Sequence, residues 1–369
     1  MSRQTIPSQS GAAHLASNEC PWETARCALQ LAAAENALGL RSTVLTAPGS
    51  WCEKNAPFFG VTAAPADFGS PINPLAWSKL GGAAKKTGLK TLHAHDRRSV
   101  RLMPRAAWFA GASGAATAYW GGKPDVGLFV GKADVVFCPS ETVHSAAGGK
   151  KARLLQAGVD LAAHKRAAAE RDAKRKQARE RYCPDKEKPL FVAAIAPFEE
   201  EGGLRGLIEA MPGIVAKLPQ THLLLMGDGA LHPELARLAR VTALDDHITF
   251  LDPDPDLASL LAACDVFAAT ATGDASGLAL REAMAAGKAV AAVDSGCHAE
   301  LIEAEKTGIV YPARDAEALA KSVLDLLENR NRRDHLGRMA AAKAAKAFDL
   351  TKTAAETAAA YEELSKNAK

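Results

Sequence analysis

A chain of 369 residues, 48% apolar and 24% charged, carries enough apolar side chains for two globular cores and is no candidate for disorder. Its 45 Lys and Arg nearly balance 42 Asp and Glu, and the resulting formal charge of +3 excludes a globally basic nucleic-acid binder. Seven scattered cysteines without C-x-x-C spacing support neither a disulfide framework nor a zinc cluster, and no apolar leader or run of membrane-spanning length is seen, so a cytoplasmic setting is expected.

Residues 1–185 form the first half. A strand ending at 14–17 is followed by Pro21-Trp22-Glu23, which opens a helix at 24–38. Its residues Ala28, Leu31, Ala32 and Leu38 recur at helical spacing, and Gly39 stops it. A buried strand at 42–46 completes a β-α-β unit, which implies a parallel sheet and a Rossmann-like beginning. Trp22 and Trp51 read as packing residues. After a stretch punctuated by Pro and Gly, 90–99 (KTLHAHDRRS) is the end of a strand with a polar cluster behind it, at the edge where open α/β sheets bind ligands. His93 and His95 share one strand face and are of a type that ligates metal, but no third ligand is legible, so no metal is expected. Strands at 115–121 and 133–140 follow. Residues 165–181 then carry eight Lys or Arg against three acids, read as a solvated helix face or, more sharply, as a contact for anionic membrane head groups.

The second half, 186–349, repeats the alternation. Strands are expected at 189–196, 221–229 and 247–251, and helices at 204–217, 233–241 and 256–263. A strand at 265–271 then delivers the loop 272–276, and a helix begins near Gly277 with Leu278, Leu280, Ala283 and Met284 on its apolar side and Gly287 at its end. Free N–H groups at that helix start, beside a glycine, suit an anion such as a nucleotide diphosphate. Glu282 lies about a turn and a half further in, where a carboxylate can accept two hydrogen bonds from a vicinal diol such as a ribose. Asp274 sits on the loop, free to reach what the phosphate carries. Strands at 289–293 and 308–311, a helix at 315–328 and a last helix at 352–364 close the chain.

Residues 274–287 (DASGLALREAMAAG) and the strand after them resemble the signature of glycosyltransferase family 4, the retaining nucleotide-sugar enzymes among the glycosyl transferases of group 1. In that family two glutamates, with seven residues between them, frame a G-x-x-L helix start followed by E-A-M-A-A-G. Here the second is Glu282, while Asp274 replaces the first, shortening its reach by one methylene. Matches at 133–140, 156–160, 227–229 and 308–312 extend the resemblance along most of the chain.

The resemblance implies a GT-B architecture: two Rossmann-like domains facing across a cleft, an acceptor domain at 1–185 with the segment 350–369 packed back on it, and a donor domain at 186–349. It implies metal-independent, cofactor-free transfer of a hexose-type sugar, with retention, from a nucleotide-diphosphate donor to a cell-surface glycan or lipid acceptor, as in lipopolysaccharide or polysaccharide synthesis at the inner face of the membrane. Glu282 would then hold the ribose, Ser276, Gly277 and Leu278 the diphosphate, Asp274 the sugar, and His95 with Asp96 the acceptor side.

Several departures bear on activity. The family's Gly-Gly pair before the first helix is replaced by Cys20-Pro21-Trp22-Glu23, and Tyr119 and Trp120 stand where a histidine is common. Ala194 stands where an Arg usually faces the diphosphate, and Gly202-Gly203 follows Glu199-Glu200-Glu201 with no Lys. Arg205 and Lys123 are the candidate substitutes. A non-catalytic homologue that binds nucleotide or a protein partner, and a GT-B sugar-nucleotide epimerase, are the alternatives.

Overall fold

The computed structural model describes residues 11–119, 123–272 and 277–367. The chain divides into two compact units, Met1–Gly158 with Phe348–Lys369, and Val159–Ala347. The helices Leu161–Ala169 and Arg171–Tyr182, counted with the first half in the sequence reading, belong by packing to the second unit.

The first unit is built on a seven-stranded parallel sheet. Its strands are β1 Ala13–Ala16, β2 Thr43–Thr46, β3 Ala63–Pro65, β4 Thr91–Ala94, β5 Ser113–Thr117, β6 Val135–Cys138 and β7 Ala152–Leu154, in the spatial order β3-β2-β1-β4-β5-β6-β7. The strand order reverses between β1 and β4, the place where open α/β sheets bind ligands beyond their strand ends. The central strands are buried at every position, as both faces of a parallel sheet must be. Five helices of this unit were not expected from sequence: Trp51–Asn55, Pro74–Thr87, Arg97–Ala110, Lys123–Lys132 and Glu141–Ala147. Pro74–Thr87 falls in the stretch punctuated by Pro and Gly, and a Cβ at Gly81 would lie 2.5 Å from the Cβ of Phe109, so glycine there permits the close approach of the helix Arg97–Ala110. The helix Arg97–Ala110 is capped by Asp96, whose carboxylate accepts from the backbone and hydroxyl of both Ser17 and Ser99. Asp96 thereby ties the end of β1 to the start of that helix.

The core of this unit contains a charge. Glu35, on the helix Trp22–Ala37, is fully buried, and its carboxylate accepts from His14 Nε2 at 2.9 Å, Ser42 Oγ at 2.5 Å, Thr357 Oγ1 at 3.2 Å and the Tyr361 hydroxyl at 3.2 Å. One hydrogen assignment satisfies the whole network with every imidazole neutral. His95 Nε2 donates to His14 Nδ1 at 2.9 Å, Tyr119 donates to His95 Nδ1 at 3.3 Å, His93 Nδ1 donates to Tyr361 at 2.6 Å and Thr117 donates to His93 Nε2 at 2.7 Å. Thr357 and Tyr361 lie on the last helix, Leu350–Asn367, so the network joins that helix to β1, β4 and the helix Trp22–Ala37.

The second unit carries a six-stranded parallel sheet: β8 Leu190–Ile195, β9 Thr221–Met226, β10 Ile248–Leu251, β11 Val266–Ala269, β12 Ala289–Val293 and β13 Ile309–Tyr311, ordered β10-β9-β8-β11-β12-β13. Its reversal lies between β8 and β11. The helices Leu204–Lys217, His232–Val241, Leu257–Ala263 and Ala316–Glu328 fall where the periodicity places them, and Arg330–Ala347 is a further helix that an alanine-rich sequence conceals.

Burial holds the His93 and His95 side chains neutral, their pKa values pushed well below the usual imidazole range, with the neighbouring imidazoles adding to the effect. In the unfolded chain the same groups titrate near about 6.5. Below that pH the unfolded state therefore binds more protons than the folded one, so the stabilisation is complete at neutral pH and is lost as pH falls through 6.5, at up to about 1.4 kcal/mol per pH unit for each group. Thermal melts from pH 7.5 down to 5 are expected to show a falling Tm, with a shallower slope for His95→Gln. Equal slopes for the two proteins would contradict the assignment of neutral, buried imidazoles.

Candidate functional site

The signature helix, Leu278–Ala285, follows Gly277, whose φ of +60° is the left-handed conformation that glycine adopts without strain. A Cβ at Gly277 would also lie 2.3 Å from Leu301 Cδ1 and 2.9 Å from Cys297 Sγ. The backbone turns here against a wall formed by the segment after β12, and that packing fixes the direction in which the helix start points. Gly277 and Leu278 lie at this start. Asp274 and Ser276 lie outside the described residues, as do Trp120 and the side chain of Lys123.

Glu282 is 3% exposed, and its carboxylate is hydrogen-bonded to Nε2 of His164, itself buried on the helix Leu161–Ala169. Sequence reading missed His164, since a histidine in a basic, alanine-rich segment gives no signal that a carboxylate 118 positions away is its partner. Among the described residues His164 Nδ1 is buried without a hydrogen-bond partner. A carboxylate held this way keeps a fixed orientation, and a buried acceptor oriented by an imidazole is suited to grip a neutral hydroxyl donor.

Around the reversal of the second sheet, the exits of β8 and β11 are laced together. Thr272 N donates to the Glu201 carbonyl at 2.7 Å, and Thr270 Oγ1 donates to the Gly202 carbonyl at 2.6 Å. These segments line a cavity of about 440 Å³ with four carboxylates, Glu200, Glu201, Glu209 and Asp315, against two cations, Arg205 and Arg314. Arg205, the expected substitute for the missing phosphate ligands, is paired with Glu234. Glu199 turns aside and accepts from Ala230 N at 3.1 Å.

In the first unit His95 is fully buried, with both ring nitrogens engaged, and it meets its surroundings through Tyr119. Asp96 is spent on its four hydrogen bonds. His14, invisible as a partner in the sequence, joins His93 and His95 in a set whose ligand atoms lie within 4.8 Å of one another. All six ring nitrogens of the set already have hydrogen-bond partners, so a cation could enter only by breaking that network. The open surface nearby is a cavity of about 500 Å³ beyond the ends of β1 to β3, lined by Asn18, Pro48, Asp67, Phe68 and Arg98 among others.

Residues 175–343, most of the second unit, match the sequence model of the family described as Glycosyl transferases group 1. The phosphatidyl-myo-inositol mannosyltransferase of Mycobacterium leprae is 31% identical over 167 residues, 44% of this chain and 44% of its own length. A GDP-mannose-dependent monoacylated alpha-(1-6)-phosphatidylinositol monomannoside mannosyltransferase of Corynebacterium glutamicum is 33% identical over 144 residues, 37% of each chain. The aligned region therefore spans less than half of these curated relatives. Among solved structures, HepE of Anabaena, crystallised with UDP and glucose, superposes with a TM-score of 0.80 at 19% identity, covering 96% of this chain and 99% of that one. A glycosyltransferase of Rickettsia africae superposes with a TM-score of 0.78 at 18% identity, covering 97% and 99%. These likenesses show the GT-B fold: two Rossmann-like α/β domains, each on a parallel sheet.

Gly277→Ala is expected to cost about 2–5 kcal/mol, combining about 1–2 for a left-handed non-glycine residue with about 1–3 for overpacking against Leu301. Urea unfolding followed by a probe in the second unit measures it. A loss below about 0.5 kcal/mol would mean that the helix start is not held against Leu301 and Cys297.

Proposed function

We propose that this protein is a glycosyltransferase that moves a sugar from a nucleotide-diphosphate donor to a glycan or lipid acceptor. The observation that carries the reading is Glu282: a buried carboxylate, oriented by His164, about a turn and a half past the left-handed glycine that starts its helix, within the segment that matches the group 1 family. The names of the curated relatives, mannosyltransferases that include GDP-mannose-dependent ones, and the UDP and glucose bound to HepE support a nucleotide sugar as donor. In this reading the second unit holds the donor. Glu282 accepts the ribose hydroxyls, the backbone at Ser276, Gly277 and Leu278 meets the diphosphate, and Asp274 holds a hexose-type sugar. The first unit takes a cell-surface glycan or lipid, with His95 acting on the acceptor side through Tyr119 rather than by contact. Retention at the anomeric carbon, independence of metal and a place at the inner face of the membrane complete the proposal.

A specific observation favours a second reading, that of a homologue which binds nucleotide without efficient catalysis. A diphosphate beside an Arg and a Lys gains about 4 kcal/mol per close pair at an effective dielectric near 20, before desolvation is subtracted. Here Ala194 stands in place of the Arg, Arg205 is bound to Glu234, and the nearby cavity has more carboxylates than cations. The helix start contributes at most about 2 kcal/mol, and a leaving diphosphate without cations departs slowly.

Titration calorimetry with UDP, GDP and ADP tests both readings. Binding of one of the three at about 0.1 mM or weaker is expected, with Glu282→Ala lowering affinity by about 1.5–3 kcal/mol, the range for a hydrogen bond to a charged group. Sugar transfer from the matching donor supports the transferase, and binding without transfer supports the non-catalytic homologue. Donor turnover without an acceptor would point to an epimerase. Affinity that Glu282→Ala leaves unchanged removes Glu282 from the site.

A further inference from the structure

Glu35 is an anion in the interior of the first unit, and its four hydrogen bonds bring it no positive charge, because the imidazole that faces it is neutral in the assignment that satisfies the network. A buried charge without a counter-charge is costly, and a cation placed one imidazole away relieves it. The three histidines behind Glu35 are arranged around such a position.

His14 lies on β1, His93 on the neighbouring β4 and His95 one residue beyond the end of β4. All three are fully buried. Their ring centroids form a triangle with sides of 4.3, 5.1 and 5.3 Å. Three imidazoles on one tetrahedral ion, with bonds of about 2.05 Å, hold their centroids about 5 Å apart, so the rings are already spaced for a shared ion. One nitrogen of each ring faces the set, within 4.8 Å of the other two. The sheet order shows which. His93 Nε2 and His95 Nδ1 are turned toward β5 and its exit, where they meet Thr117 and Tyr119, so His93 Nδ1 and His95 Nε2 are the nitrogens turned toward His14 on β1. His14 Nδ1 completes the set, 2.9 Å from His95 Nε2.

Each outer nitrogen has an oxygen behind it: Glu35 at 2.9 Å from His14 Nε2, Thr117 at 2.7 Å from His93 Nε2 and Tyr119 at 3.3 Å from His95 Nδ1. Metal-bound imidazoles donate their outer N–H to such an oxygen, which fixes the ring and raises the basicity of the inner nitrogen. Entry of an ion breaks two hydrogen bonds, His95 to His14 and His93 to Tyr361, and keeps the three outer ones. His93 and His95 each move their proton from the inner to the outer nitrogen, and Thr117 and Tyr119 accept where they had donated, so no proton leaves the site. The Tyr361 oxygen, 2.6 Å from His93 Nδ1 and still donating to Glu35, is then released to act as a fourth ligand. Burial already keeps His93 and His95 neutral, so protons do not compete for the ligand nitrogens near neutral pH. A cavity of about 30 Å³, lined by Thr117, Tyr119 and Thr357 among others, adjoins the outer side of the set and gives a way in.

We propose that His14, His93, His95 and the Tyr361 hydroxyl form a structural site for a divalent transition metal, zinc above all, in the core of the first unit. Three neutral nitrogens and one hydroxyl do not suit Mg²⁺ or Ca²⁺, which take carboxylates and water, and four protein ligands with no open position suit a structural rather than a reacting ion. The ion clips the last helix, through Tyr361, to β1 and β4, and its charge offsets that of Glu35. The inference does not depend on the glycosyltransferase reading, and it leaves the proposed transfer itself independent of metal.

The test is metal uptake by the full chain, purified without a metal-affinity tag, stripped with a chelator and equilibrated for hours with Zn²⁺ or Co²⁺. One equivalent is expected to bind, with the intense visible absorption of tetrahedral Co²⁺. Zinc at about 100 times its dissociation constant is expected to raise the Tm by about 5–10 °C. His14→Gln or His95→Gln is expected to weaken zinc binding about a hundredfold or more, and Thr117→Val, which removes the oxygen behind His93, about tenfold. His144→Gln with His335→Gln, outside the set, is expected to change it less than twofold. Absence of stoichiometric uptake, uptake that leaves the Tm unchanged, or an octahedral Co²⁺ spectrum would overturn the proposal, and these three readouts use the unaltered chain, so they decide it even where a core variant fails to fold. Binding that survives His95→Gln but is lost in the His144 and His335 variant would also overturn it, because the ion would then be an adventitious surface one.

Discussion

The first unit depends on one carboxylate. An ion removed from water is tolerable only if hydrogen bonds replace its hydration, and Glu35 receives four, from β1, from the residue before β2 and from two positions of the last helix. These donors are not interchangeable with apolar contacts, because losing any one leaves the charge short of a partner in a medium that does not supply another. The last helix is therefore bound to the first unit by directional contacts as well as by apolar packing, and the imidazoles of His14, His93 and His95 are ordered in sequence behind the same carboxylate. That network also accounts for what His95 does: it supports Tyr119 and the end of β4 from within, rather than presenting a free ring.

The second unit uses the same device on a smaller scale. Glu282 is buried and turned toward His164, and the left-handed turn at Gly277 is fixed by Leu301 and Cys297. Among the described residues at the exits of β8 and β11, carboxylates outnumber cations, and Arg205 is committed to Glu234. Under the proposed function, a site with an oriented hydroxyl acceptor and few cations would recognise the nucleoside part of a donor better than its phosphates, which is the physical basis of the balance between a slow transferase and a nucleotide-binding homologue.

Charge elsewhere is distributed with a purpose that composition hides. Near-neutrality of the whole chain conceals a basic helix at 171–182, in which Arg175 serves the carbonyls of Ala263 and Pro189 and the carboxylate of Asp265.

Alternation of short apolar runs with amphipathic stretches was enough to read the α/β class and most strands and helices, because each reflects burial within a few neighbouring residues. The helix start at Gly277 and the position of Glu282 on it were legible for the same reason: a glycine and an apolar face at helical spacing are local facts. Where local signals conflicted, the reading failed. Gly81-Gly82 and Pro104 masked the helices at 74–87 and 97–110, and alanine without contrast masked the one at 330–347. The partners of Glu35, up to 326 positions away, and the partner of Glu282 were beyond sequence altogether. Sequence determined which segments bury a face; tertiary structure decided which charges meet, because electrostatic pairing acts between surfaces that only the folded chain brings together.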